Sequence, residues 1–133
     1  MNNAQWKSFF LCCRSVLGKG LPFAQRSDSW CAWTTFNAVH SGVHYWYSGI
    51  PDYEDILDTH IADGGLWGQP FDYDDLAHVV IPATFYWETE GGPEFKNGTK
   101  VQNIRLLSEC LTGEGIPHRL TDLILENQAL LIG

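Results

Sequence analysis

A chain of 133 residues has the length of one domain, and at that size it can bury enough apolar surface to fold without a metal or a disulfide framework. Its sixteen acidic residues outnumber eight lysines and arginines, and a net charge of −8 argues against the phosphate-binding surface that nucleic acid requires. No apolar run of about 18 residues occurs, so no transmembrane helix and no membrane partner are expected.

The short apolar run from Phe9 to Cys13 is interrupted by Arg14 and does not make a secretory h-region. The expectation is a cytoplasmic protein of bacterial accessory character. Its four cysteines, Cys12, Cys13, Cys31 and Cys110, are then reduced and mostly buried.

Residues 3–17 carry Trp6, Phe9, Phe10, Cys13, Val16 and Leu17 at helical spacing. Gly18 and Gly20 end that helix, Pro22 keeps it from resuming, and Lys7 and Arg14 fall on its outer face. In "WCAWTTFNAV" the three-residue spacing of Trp30, Trp33 and Phe36 suits a helix. The β-formers Thr34, Thr35, Phe36 and Val39 favour a strand, and Ser41-Gly42 then reads as a two-residue hairpin turn into "VHYWYS". A short helix is expected over 51–62, opened by Pro51 or Asp52 and closed by Gly64-Gly65. The stretch "GGLWGQPFDYDD" reads as a loop long enough to be functional.

"HVVIPATFYWETE" is the clearest strand. Val79, Ile81, Ala83, Phe85 and Trp87 alternate onto one face, and His78, Val80, Thr84, Tyr86, Glu88 and Glu90 onto the other. Pro82 marks an edge or a bulge, because it has no N–H for a ladder. Thr99, with Gln102 three residues on, reads as a capping box opening a helix over 99–112. "HRLTDLILE" returns as a strand over 118–126, and the apolar tail "NQALLIG" is expected to dock on the sheet or on a second subunit. The sum is an α+β fold in the order α-β-β-α-β-α-β, with a small mixed or mostly antiparallel sheet of about four strands and about three helices mainly on one face. The elements at 78–90, 99–112 and 118–126 suit a right-handed crossover unit.

Charge divides the single domain into three segments. The basic helix and loop of residues 1–26 hold Lys7, Arg14, Lys19 and Arg26 and no acid. Residues 27–95 hold twelve acids, no lysine or arginine, and most of the aromatics. The helix–strand unit of 96–133 balances four bases against four acids. An acidic, aromatic surface attracts organic cations and basic proteins. The basic first segment can equally dock on the acidic middle and spend the field internally.

The binding candidates are Trp46, Trp67, Asp72, Tyr73, Asp74, Asp75, Tyr86 and Glu88, with Trp87 beside them. Trp67, in a Gly-rich loop, has the setting least like core packing. His40 and His44 are four apart, a spacing that suits two ligands on a helix, but no zinc signature accompanies them, so neither metal nor cofactor is expected. Cys31 has no histidine beside it in sequence, and the acid clusters at 72–75 and 88–90 are commoner as loop solvation than as glycosidase pairs.

The composition favours a non-enzymatic binding protein. Its partner would be a basic protein, in the manner of an immunity protein or antitoxin, or a small organic cation. A convex acidic patch would fit the former and a concave aromatic cavity the latter. The alternatives are a small enzyme using His, Asp or Glu residues of the 40–90 region, and a structural module. A homodimer, joined through the aromatic sheet face and the apolar tail, is expected alongside any of these.

Overall fold

The computed structural model describes residues 1–22, 26–42, 44–89, 92–124 and 127–133. Helix α1 (Asn3–Leu17) starts where its side chains supply the missing partners of a helix end. The Asn2 side chain accepts from the Gln5 N–H, and the Gln5 side chain accepts from the Asn2 N–H. The strands are β1 (Cys31–Thr35), β2 (Trp46–Ser48), β3 (His60–Ile61), β4 (Phe71–Asp72), β5 (Leu76–Pro82), β6 (Thr84–Glu88), β7 (Asn97–Val101), β8 (Arg119–Ile124) and β9 (Asn127–Ile132). Two further helices are α2 (Phe36–His40) and α3 (Ile104–Gly113).

The fold is α+β, with a main sheet of five strands in the order β2-β1-β5-β9-β8 and every neighbouring pair antiparallel. Two ribbons, β3–β4 and β6–β7, stand apart from it. The expected parallel crossover does not form, because β9 inserts between β5 and β8. The apolar tail docks on the sheet by becoming one of its inner strands.

Alternate residues of the main sheet build the core. Cys31 and Trp33 of β1, Val79 and Ile81 of β5, and Leu130 and Ile132 of β9 are buried in one cluster with α1 and α3. The helices contribute Trp6, Phe9, Phe10 and Cys13, and Ile104, Leu107 and Leu111. Each such large side chain, fully buried, is worth about 1.5–3 kcal/mol of transfer free energy.

Where local structure departs from the sequence reading, a named bond accounts for it. β1 and β2 pair as a hairpin, but α2, capped by Thr35 through the Ala38 N–H, fills the connection in place of a Ser41-Gly42 turn. The helix expected over 51–62 shrinks to one 3-10 turn at Tyr53–Asp55. The chain then folds back, with the Leu57 N–H donating to the His60 carbonyl, so that Ile56 can pair with Ile61.

The long strand begins at Leu76 and breaks after Pro82; Glu90, placed at its far end, lies outside the described residues. At Ala83 the N–H goes to the Gln128 carbonyl and the carbonyl accepts from the Gln102 N–H, so the chain leaves the main ladder and β6 pairs with β7. Thr99 is therefore a strand residue, and α3 opens at Asn103, whose side chain accepts from the Leu106 N–H. The strand placed at 118–126 is β8, and residues 125–126 lie outside the described set.

One crossing fixes the position of the sheet edge. Gly20 donates to the Ile50 carbonyl (3.2 Å) and Gly49 to the Leu21 carbonyl (3.0 Å). A Cβ on either glycine would overlap the other's backbone, so only glycine fits at both positions.

A candidate binding cleft on the open face of the sheet

The residues that alternate with the core set face away from the helices. Across the five strands one rank runs Tyr47, Ala32, Val80, Leu131, Arg119, as the pairing register dictates. Four strand spacings make this rank about 19 Å long. His78 lies on the same face, paired with Thr34.

Walls rise around this floor. Trp30 stacks on Tyr47, with ring centroids 5.8 Å apart and planes 17° from parallel. Tyr45 stands near them, the β6 ribbon supplies Thr84, Phe85 and Tyr86, and Pro117 and His118 close the β8 side. Together they line a cleft of about 1160 Å³, somewhat above the usual range for small-molecule sites.

Gln102 holds the corner where wall meets floor. Its side chain is buried, its Nε2 donates to the carbonyls of Trp30 and Pro82 (2.9 Å each), and its Oε1 accepts from the Trp30 N–H (2.9 Å). Its own N–H donates to Ala83 (2.7 Å). The amide thus serves as a strand partner for Trp30 and secures the bend at which β5 passes into β6.

The electrostatics of the cleft differ from those of the whole chain. Among the described residues no aspartate or glutamate side chain lines it. Arg119 and His78 do, both are exposed, and neither side chain has a hydrogen bond or ion pair among the described residues. The ring of His118 is fixed by two bonds. Its Nδ1 lies 2.8 Å from the Ile116 carbonyl, which can only accept, and its Nε2 lies 2.7 Å from Ser108 Oγ. A serine bonded to a backbone-oriented histidine has the form of an activated nucleophile. Ser108, however, does not line the cleft, so this pair buttresses the wall.

Three aspartates are paired with bases away from the cleft. Lys7 pairs with Asp58, Lys100 with Asp28, and Arg14 (2.9 Å) and Lys19 (3.5 Å) both reach Asp52. The basic first segment does dock on the acidic middle. The Arg14 hydrogen bond, then the Tyr53 N–H, hold the Asp52 carboxyl below the usual carboxylate range, and Lys7 does the same for Asp58.

The candidates named from sequence are scattered by the fold. Trp67 is buried, its ring lying parallel to Trp33 at 3.6 Å and its indole N–H donating to the Gly49 carbonyl (3.1 Å). Tyr73 is 1% exposed, stacks on Phe10 and donates to the Leu57 carbonyl (2.7 Å); burial pushes its phenol up. Trp46 is half-buried between His44 and Phe71.

Asp72, Asp74 and Asp75 are exposed in β4 and the turn after it. Tyr86 and Glu88 are brought together, with the phenol donating to the carboxylate (2.8 Å), and of the eight candidates only Tyr86 lines the cleft. Trp87 holds Lys100 over its ring at 5.0 Å. His40 ends α2 and His44 packs edge-on to Trp46; no group of three or more metal-ligating side chains occurs among the described residues. Cys31 is fully buried, and burial pushes its thiol up, away from the reactive thiolate.

The cleft itself, built on Trp30, Tyr47, His78, Val80, Leu131 and Arg119, was not visible in the sequence pattern. One signal pointed to it. The second face of β5 offers His78, Val80 and Pro82, only one of them polar, where a solvated face would carry more. No protein-family model matches this chain, and neither a curated protein nor a solved structure matches it significantly.

Proposed function

We propose that this protein binds a small organic molecule in the cleft on the open face of its sheet. The observation that carries this reading is the shape and chemistry of that face. It is concave, aromatic at one end and aliphatic along the floor, and it has few fixed polar groups. Small-molecule sites are built this way, whereas a basic protein partner would favour a convex acidic patch. A binding role is favoured over catalysis because Ser108, the partner of His118, does not line the cleft.

The test is titration with phenylnaphthylamine, a neutral aromatic dye that fluoresces on leaving water. Saturable binding is expected, abolished by Val80→Trp, which fills the floor, with the melting temperature little changed. Dye binding that survives Val80→Trp, or no binding at all, would refute the reading. A second copy of the chain closing the cleft is the competing proposal. It predicts a dimer in solution whose dissociation the dye promotes.

A further inference from the structure

We infer that the cleft's natural occupant is an elongated organic anion, an aromatic or aliphatic body with a carboxylate, sulfonate or phosphate at one end. This rests on the cleft being a small-molecule site. The rank across the floor gives the ligand a direction. At one end stands the stacked pair Trp30 and Tyr47; at the other, about 19 Å away, stands Arg119. Ala32, Val80 and Leu131 between them offer no polar group except their backbone.

Charge sets the ligand's sign. Lys7, Arg14, Lys19 and Lys100 each have an aspartate partner. Arg119 has none among the described residues, in a chain with twice as many acids as bases. A guanidinium left open at the end of an apolar groove matches an oxyanion in two parallel hydrogen bonds. His78 adds a second polar group on the floor. Trp30 and Tyr47 alone would also attract a cation, but no side-chain carboxylate among the described lining residues would complete that site.

Three dyes with related ring systems test the sign. They are neutral phenylnaphthylamine, anionic anilinonaphthalene sulfonate, and a cationic naphthylmethyl trimethylammonium. The wild type should bind the sulfonate about tenfold more tightly than the neutral dye at low salt. Arg119→Gln should remove most of that advantage and leave the neutral dye's affinity within about twofold, since only the charge-assisted bond is lost. Added salt should weaken the sulfonate alone. Tightest binding of the cation, or equal losses for both other dyes in Arg119→Gln, would overturn the inference while the cleft reading stands. Binding of none of the three would overturn both.

A separate observation concerns the α1–α3 interface. The Sγ atoms of Cys12 and Cys110 lie 2.8 Å apart, with Cys12 buried and Cys110 partly exposed. We propose that this pair closes to a disulfide when a small disulfide such as oxidised glutathione is present. Cys110 thiolate attacks one glutathione sulfur and releases a glutathione thiolate. Cys12 then attacks the Cys110 sulfur, gives its proton to that thiolate, and expels the second glutathione. Two protein thiols are oxidised and one small disulfide is reduced.

Incubation with oxidised glutathione, followed by non-reducing peptide mass mapping, should find the cross-link in wild type and in Cys13→Ser. It should be absent in Cys110→Ser. Closing so long a loop should raise the melting temperature by about 10 °C, reversibly with dithiothreitol. A stable glutathione adduct on Cys110, or cross-linked dimers alone, would refute the proposal.

Discussion

On β5, Val79 and Ile81 point into a core where neither is exposed, while His78 and Val80, one residue away, line an open cleft. The same alternation runs through β1 and β9. One face is closed by α1 and α3, whose aromatic and aliphatic side chains fill it, so its residues act on stability. The other is walled but not filled, so its residues are free to act on a ligand. A sheet that is apolar on both faces yet covered by helices on only one leaves its second face open to the proposed ligand.

Substitutions can break this division or sharpen it. The largest effect is expected on the closed face. Phe10 touches Trp6, Phe9, Trp67 and Tyr73, and Phe10→Ala should cost about 4 kcal/mol in urea unfolding, with dye affinity unchanged for the molecules still folded. Gln102→Ala comes next, since it strips the partners from Trp30 and Pro82 where the two regions join. About 2 kcal/mol of stability should go, and dye binding should weaken as the rim loosens.

On the open face, Tyr47→Ala should reverse the pattern. Stability should change by less than about 1 kcal/mol while dye affinity falls severalfold; an equal loss of both would erase the distinction. The smallest effect belongs to the partly buried ion pair of Arg14 and Asp52. Because the folded Asp52 carboxyl is held below its unfolded value, its contribution is present at neutral pH and is lost as pH falls through the folded value. Asp52→Asn should therefore lower the melting temperature slightly at pH 7 and leave it unchanged in strong acid.

Local pattern was legible in the sequence, and long-range pairing was not. The stripe from Trp6 to Leu17 marked α1 correctly because a helix satisfies its own backbone. The alternation around Val79 and Ile81 correctly separated the two faces of β5 as far as Pro82. Thr99 and Gln102 imitated a capping box, but the Gln102 amide is engaged by Trp30, 72 residues away, which no local rule could reveal. Trp67 has a Gly-rich loop setting that does not suggest core packing, while its real partner, Trp33, lies in β1. The cleft was hidden for the same reason, since its floor takes one or two residues from each of five strands.

The place of β5 in the sheet also governs how fast the molecule can assemble. Both of its ladder partners, β1 and β9, are distant in sequence, so neither contact is reached by a local turn. Such topologies lose chain entropy before pairing rewards it, and they fold in milliseconds to seconds rather than microseconds. The hairpin of β8 and β9 can form early, but the floor of the cleft exists only once β5 has captured strands from both sides. Dye binding should accordingly appear only in the last kinetic phase of refolding, together with the burial of Trp33 on the other face of β1.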